Sequence, residues 1–259
     1  MVLLAMRPVG GYFYNLGRET FLAPLHWEAG WPVACPGTGR VEFTYPAPDL
    51  PEQLWPELPQ RDDFDSALLA MQWNFIRNPP QKFWSLRERP GFLRLFLRPE
   101  RLSEQTSPSF IGRRQQHINF KAQVALEFTP QEPHELAGLA LVQNNEFHFC
   151  LVMTGVETPV VRLIKRAAGI EEILAERRIQ GRQIYLKIEA HAQAYSFYCA
   201  LKPDEWFPVA EAVDGRILST PVAGGFLGTY IGMLASSNGV QSRNYVDYDW
   251  FDYIGLDET

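Results

Sequence analysis

Ile118-Asn119-Phe120-Lys121-Ala122-Gln123-Val124-Ala125-Leu126-Glu127-Phe128 is the stretch that decides the fold. Ile118, Phe120, Ala122, Val124, Leu126 and Phe128 alternate with Asn119, Lys121, Gln123, Ala125 and Glu127. A period of two over that length describes a strand with one face on a core and the other in water. The same alternation sets Leu93, Leu95 and Leu97 against Arg94, Phe96 and Arg98, and Ile184, Leu186 and Ile188 against Tyr185, Lys187 and Glu189. Tyr195, Phe197, Cys199 and Leu201 continue it after the turn His191-Ala192-Gln193-Ala194, so Gln183 to Leu201 reads as a hairpin. A second hairpin is expected around Asn144-Asn145, and a third around Ala168-Gly169, where the apolar positions of Ile164 to Arg178 sustain no helical period. About a dozen strands at this spacing predict an all-β chain built as a jelly-roll β-sandwich.

The first 60 residues read differently. Val2 to Ala5 and Phe21 to Trp27 are expected as two strands joined by Gly10-Gly11 and the turn Asn15-Leu16-Gly17, with Val41 to Thr44 a third, short one. Two strands alone are marginal in water and need a sheet to join. The stretch Gly17 to Pro32 therefore reads as the end of a structure that begins outside this chain, loosely anchored here and with unpaired edges. Pro46, Pro48, Pro51, Pro56 and Pro59 then remove backbone donors and favour an extended linker. The expected division is residues 1–44 as a remnant of another domain, 45–60 as linker and 61–259 as the sandwich.

Composition narrows the function. With 46% hydrophobic and 13% aromatic residues the chain can bury a sizeable core. A formal net charge of -6 gives no general attraction to phosphate backbones or anionic membranes, so neither nucleic acid nor a membrane is an expected partner. Cys35, Cys150 and Cys199 are widely spaced and odd in number, which suits reduced thiols and a cytoplasmic location. No run approaches the ~18 apolar residues of a membrane span.

The chemistry-bearing motifs are few. There is no Gly-x-Ser-x-Gly, no His-Glu-x-x-His and no phosphate loop; Gly224-Gly225-Phe226-Leu227-Gly228 reads as a turn opening a strand. Arg113-Arg114-Gln115-Gln116-His117 is a basic cluster, read equally as a solvated strand end or a ligand contact. Asp62-Asp63-Phe64-Asp65 and Asp247-Tyr248-Asp249-Trp250-Phe251-Asp252 lie on the first and last strands, which commonly adjoin in a sandwich. Asp63, Glu88 and Asp249 are the expected ligands if these acids hold a structural calcium; the alternative is ion pairing with Arg61 or Arg89. Glycoside hydrolysis needs two carboxyls roughly 5 to 10 Å apart in an enclosing pocket, and acids on outward strand positions lack that enclosure.

Several of these motifs together resemble one family. Gly17-Arg18-Glu19-Thr20-Phe21-Leu22-Ala23-Pro24, with Trp27-Glu28 and Gly30-Trp31-Pro32-Val33, resembles the closing segment of the five-bladed propeller of glycoside hydrolase family 43 β-xylosidases. Asp62-Asp63-Phe64-Asp65, Gln72-Trp73, Arg77-Asn78-Pro79, Arg89-Pro90-Gly91-Phe92-Leu93-Arg94-Leu95, Arg113 to His117 and Asp247 to Phe251 resemble the concanavalin A-like sandwich of the same enzymes. The resemblance implies β-1,4-xylosidase and α-L-arabinofuranosidase activity on xylo-oligosaccharides, with inversion, no required cofactor, and catalytic carboxylates on propeller blades absent from this chain. No residue here is therefore expected to be catalytic, and the truncated chain is expected to be inactive alone. Two substrate contacts carry over by resemblance. Arg18 matches an arginine that hydrogen-bonds the sugar, and its alternative is an ion pair with Glu19 or Glu28. Phe226 matches an aromatic that closes the pocket, and its alternative is a core phenylalanine. The missing propeller is the expected partner, self-association into a homo-oligomer stays open, and a free-standing lectin-like carbohydrate-binding module is the competing reading.

Overall fold

The computed structural model describes residues 1–257. Four short strands come first: β1 (Val2–Ala5), β2 (Glu19–Leu22), β3 (Leu25–Glu28) and β4 (Trp31–Ala34). After the linker come β5 (Arg61–Asp62), β6 (Asn74–Phe75), β7 (Trp84–Ser85), β8 (Leu93–Phe96), β9 (Ser109–Arg114), β10 (Phe120–Glu127), β11 (Leu136–Asn144) and β12 (Phe147–Thr154). The chain continues through β13 (Val160–Ala167), β14 (Ile170–Arg178), β15 (Gln183–His191), β16 (Ala194–Ala200) and β17 (Phe207–Asp214). A 3-10 turn at Gly215–Leu218 and a single helical turn, α1 (Thr220–Ala223), lead into β18 (Tyr230–Ser236) and β19 (Tyr245–Gly255).

Two antiparallel sheets make the sandwich. One runs β17-β16-β15-β10-β19-β8-β7, with β5 also on β19; the other runs β14-β13-β12-β11-β18-β9-β6. First and last strands do adjoin, since Asp62 lies opposite Phe251 and Arg61 opposite Asp252. The inward residues of β10, Phe120, Ala122, Val124 and Leu126, are fully buried against Leu139, Leu151 and Leu163 of the facing sheet. The larger of these side chains, Phe120, Val124 and Leu126, each contribute about 1.5 to 3 kcal/mol by leaving water. One polar tie crosses this core: the Tyr248 hydroxyl lies 2.8 Å from the carbonyls of both Gly138 and Leu234. Burial pushes that phenol well above its ordinary pKa, so it stays protonated and can donate.

Three details depart from the sequence expectations. Ala125, placed on the wet face by alternation, is fully buried, because Trp250 and Tyr185 lie opposite it on either side and their rings approach to 6.1 Å. The expected strand Phe21 to Trp27 breaks at Ala23-Pro24 into β2 and β3, since Pro24 has no N–H to give a ladder; β2 pairs with β1 and β3 with β4. Val41 to Thr44 is not a strand. There the Glu42 N–H finds the Tyr45 hydroxyl at 2.6 Å, and that hydroxyl donates to the Arg40 carbonyl at 3.2 Å, closing a local loop.

The first 44 residues are also better anchored than expected, at one place. Asn15, Leu16 and Gly17 are buried against the sandwich, whereas Trp27 and Trp31 on the β3–β4 hairpin remain 70% and 75% exposed. The tie is made largely of hydrogen bonds to residues far along the chain, and no sequence period announces it.

Candidate substrate-contact site

The docked segment is held by its backbone. Asn15 accepts from the Thr229 N–H at 2.8 Å, Leu16 from the Arg114 guanidinium at 3.0 Å, and Tyr14 from the Thr220 N–H at 3.3 Å. The Asn15 side-chain amide donates to the Tyr195 hydroxyl at 3.0 Å and to the Gly215 carbonyl at 3.2 Å. Gly17, at φ 71°, then passes so close to the loop before β18 that a Cβ on it would lie 2.4 Å from the Gly228 nitrogen. A Cβ on Gly228 would in turn lie 2.2 Å from the Leu16 carbonyl oxygen. Two glycines are required at this crossing, one for its dihedral and both for space.

That contact delivers Arg18 to Phe226. The Arg18 guanidinium carbon sits 4.2 Å from the centre of the Phe226 ring, within cation–π range. Glu19, the neighbour expected to compete for Arg18, is turned away and takes Arg7 in a two-pronged pair at 2.8 and 3.0 Å. Among the described residues Arg18 makes no ion pair, so its remaining donors face solvent. Phe226 is 66% exposed, which excludes the core reading.

Neighbouring strands hold the Phe226 loop. Gly224 and Gly225, at φ 76° and 80°, turn the chain after α1. The Gln143 side-chain amide donates to the Leu227 carbonyl at 2.7 Å, and that of Asn144 to the Ala223 carbonyl at 2.9 Å. The ring is thus presented from a clamped loop beside the Arg18 guanidinium.

The basic cluster turns out to be the socket for this docking. Arg113 is buried, with its guanidinium 4.4 Å from the Tyr253 ring, and burial lowers its pKa. Arg114 holds Leu16, and buried Gln115 accepts from the Tyr195 hydroxyl at 3.3 Å while its N–H bonds the Thr229 carbonyl at 2.9 Å. The Tyr253 hydroxyl receives the N–H groups of Gln116 and His117 at 2.9 and 3.1 Å. The solvated-strand-end reading fails for Arg113 and Gln115, and sequence reasoning missed that Arg114 and Gln115 help hold the segment that carries Arg18.

The acidic clusters do not assemble as the calcium reading required. Asp63 pairs with Arg61 at 2.6 Å and Glu88 with Arg94 at 3.0 Å. Asp247, only 5% exposed, receives Arg94 at 2.7 Å and Arg89 at 3.1 Å, and Arg89 also reaches Glu127 at 2.9 Å. Asp249 lies on the same strand, where burial raises its pKa and the charge of Arg61 opposes that rise. Among the described residues no group of three or more His, Cys, Asp or Glu side chains could hold a metal ion. Arginines pair with Asp63, Glu88 and Asp247 in this structure. Chemically the Arg18–Phe226 pair offers a rigid fork of hydrogen-bond donors beside an aromatic face; Glu19 is committed to Arg7, so the pair can bind and orient but brings no free acid or base of its own.

A family model described as the beta-xylosidase C-terminal concanavalin A-like domain matches residues 61–254. The chain belongs to that family. It is 40% identical over 260 residues to the non-reducing end alpha-L-arabinofuranosidase BoGH43B of Bacteroides ovatus, covering 99% of this chain and 48% of that protein. A xylosidase/arabinosidase of Butyrivibrio fibrisolvens is 40% identical over 258 residues, 97% of this chain and 49% of the relative. The solved Bacteroides ovatus GH43B structure superposes with a TM-score of 0.93 at 39% identity, over 98% of this chain and 51% of its own. A GH43 protein of Bacillus licheniformis, BlXynB, gives the same TM-score at 30% identity, over 98% and 50%. The concanavalin A-like chain thus spans about half the length of the curated relatives it matches. The shared stretch takes in the docked N-terminal segment as well as the sandwich.

Proposed function

We propose that this chain works as the C-terminal part of a β-1,4-xylosidase or α-L-arabinofuranosidase that hydrolyses glycosidic bonds in xylan-derived oligosaccharides. The sandwich braces a propeller that carries the catalytic carboxylates, and the Arg18–Phe226 pair closes one side of the substrate pocket. The observation that carries this reading is the exposed Arg18 guanidinium lying against an exposed Phe226 where the N-terminal segment docks on the sandwich. Beyond each other, these two exposed groups have no ion-pair or hydrogen-bond partner among the described residues, as expected of groups that face a ligand. In the pocket the guanidinium fork would donate to sugar hydroxyls, and the ring would lie against a sugar face and exclude water.

A hybrid tests this. Grafted in place of the corresponding half of the Bacteroides ovatus relative, the chain is expected to restore cleavage of aryl β-D-xyloside or aryl α-L-arabinofuranoside, while the chain alone turns over neither. A folded hybrid without activity would refute the reading.

A further inference from the structure

The opposite end of the sandwich carries an open cleft of about 710 Å3. The β11–β12 turn lies beside the Phe226 loop, and the eight residues of β12 lead away from it, so the cleft is about 25 Å distant by the rise of a strand. It opens in the seam between β14 and β17, each the edge strand of its own sheet. Arg177 and Arg178 line it from the end of β14, with Phe207 and Leu201 across the seam and Thr158, Pro159 and Gln180 also in the lining.

Arg177 lies opposite Val161, a core residue, so it enters from an inward-facing position and is half-buried. Its guanidinium carbon lies 4.7 Å from the Phe207 ring centre. The two arginines of the neighbouring strand β13 are neutralised: Arg162 pairs with Glu176 at 2.6 Å and Arg166 with Glu146 at 3.4 Å. Among the described residues Arg177 and Arg178 make no ion pair and no side-chain hydrogen bond, and Glu157 is the one acid lining the cleft. Two guanidinium groups against one carboxylate leave the cleft cationic on a chain whose net charge is -6. A half-buried guanidinium without a counter-charge favours any anion that can reach it, and its planar fork suits two-pronged pairing with a carboxylate or phosphate. Phe207, Leu201 and Pro159 supply apolar surface for the rest of such a molecule, and the volume falls within the range of small-ligand sites.

We propose that this cleft binds a small organic anion, its carboxylate or phosphate paired with Arg177 and Arg178 and its carbon skeleton lying against Phe207 and Leu201. The inference is independent of the Arg18–Phe226 reading, because it concerns the other end of the fold and is tested by direct binding.

Calorimetry on the chain at low ionic strength, with D-glucuronate, its uncharged methyl ester and inorganic phosphate as probes, tests it. At least one anion is expected to bind saturably, at least about tenfold more tightly than the methyl ester and more weakly as salt is raised. Arg177→Gln should weaken binding by about tenfold or more, and Arg177→Lys, which keeps the charge but loses the fork, should fall between. Glucuronate alone would identify a carboxylate ligand and phosphate alone a phosphoryl ligand; binding of both would show recognition of the charge they share. No saturation by either anion up to about 50 mM would overturn the proposal. So would saturable binding of glucuronate that its methyl ester matches, or an Arg177→Gln, Arg178→Gln variant of unchanged melting temperature that binds like the original chain.

Discussion

Replacing Gly17 with alanine should release the N-terminal segment while leaving the sandwich folded. An alanine at φ 71° carries about 1 to 2 kcal/mol of backbone strain. Its Cβ would sit 2.4 Å from the Gly228 nitrogen, and overpacking of that kind costs about 1 to 3 kcal/mol. Together the penalty is about 2 to 5 kcal/mol. Against it stands the docking itself: burial of Leu16 contributes about 2 kcal/mol. The hydrogen bonds through Asn15, Leu16 and Thr229 add about 1 kcal/mol each. Fixing Asn15 to Gly17 takes back about 1 to 2 kcal/mol per residue, so net docking is only about 2 kcal/mol. Strain therefore exceeds the hold, and undocking is cheaper than distortion. The Thr229 N–H, bonded only to Asn15, reports the event by native-state hydrogen exchange. Its exchange should quicken about 30-fold, the factor that corresponds to 2 kcal/mol, while Val124 and Leu186 in the core keep their protection. Unchanged exchange at Thr229 in a folded Gly17→Ala chain would refute the glycine crossing as the anchor.

Asp247→Asn removes the charge that Arg89 and Arg94 share in a nearly buried site, and should lower unfolding stability in urea by about 3 kcal/mol; a loss below about 1 kcal/mol would contradict the assignment. His148 offers a pH test. Burial lowers its pKa from 6.5 to about 4, so it stays neutral in the fold at pH values where the unfolded chain takes up a proton. Its contribution is complete above pH 6.5 and is lost as pH falls toward about 4, a decline on the order of 3 kcal/mol that His148→Phe should remove from the stability profile. An NMR titration that finds His148 half-protonated near pH 6.5 would contradict that placement.

Where local pattern decides structure, the sequence is readable. The alternation in β10 places Phe120, Ala122, Val124 and Leu126 in the core, and the turns at Asn144-Asn145, Ala168-Gly169 and Ala192-Gln193 mark hairpins that form as expected. Pro24 carried its own warning of a strand break, and the missing proline donor was the signal to use. Other features depend on partners far along the chain. Ala125 is covered by rings from two other strands, and Gly17 meets Gly228, which lies near the other end of the sequence. Arg113 to His117 show no periodicity that would distinguish a solvated end from a socket. The proximity of Arg18 and Phe226 belongs to this second kind, although family resemblance singled out both residues.

The most direct measurement is kcat/KM for the hybrid that joins this chain to the preceding half of the Bacteroides ovatus relative, with and without Arg18→Ala. Loss of charged hydrogen bonds to the sugar should lower it about 10- to 100-fold, and Phe226→Ala should lower it as well. A folded, active hybrid in which neither substitution changes kcat/KM would contradict the claim that this pair closes a substrate pocket.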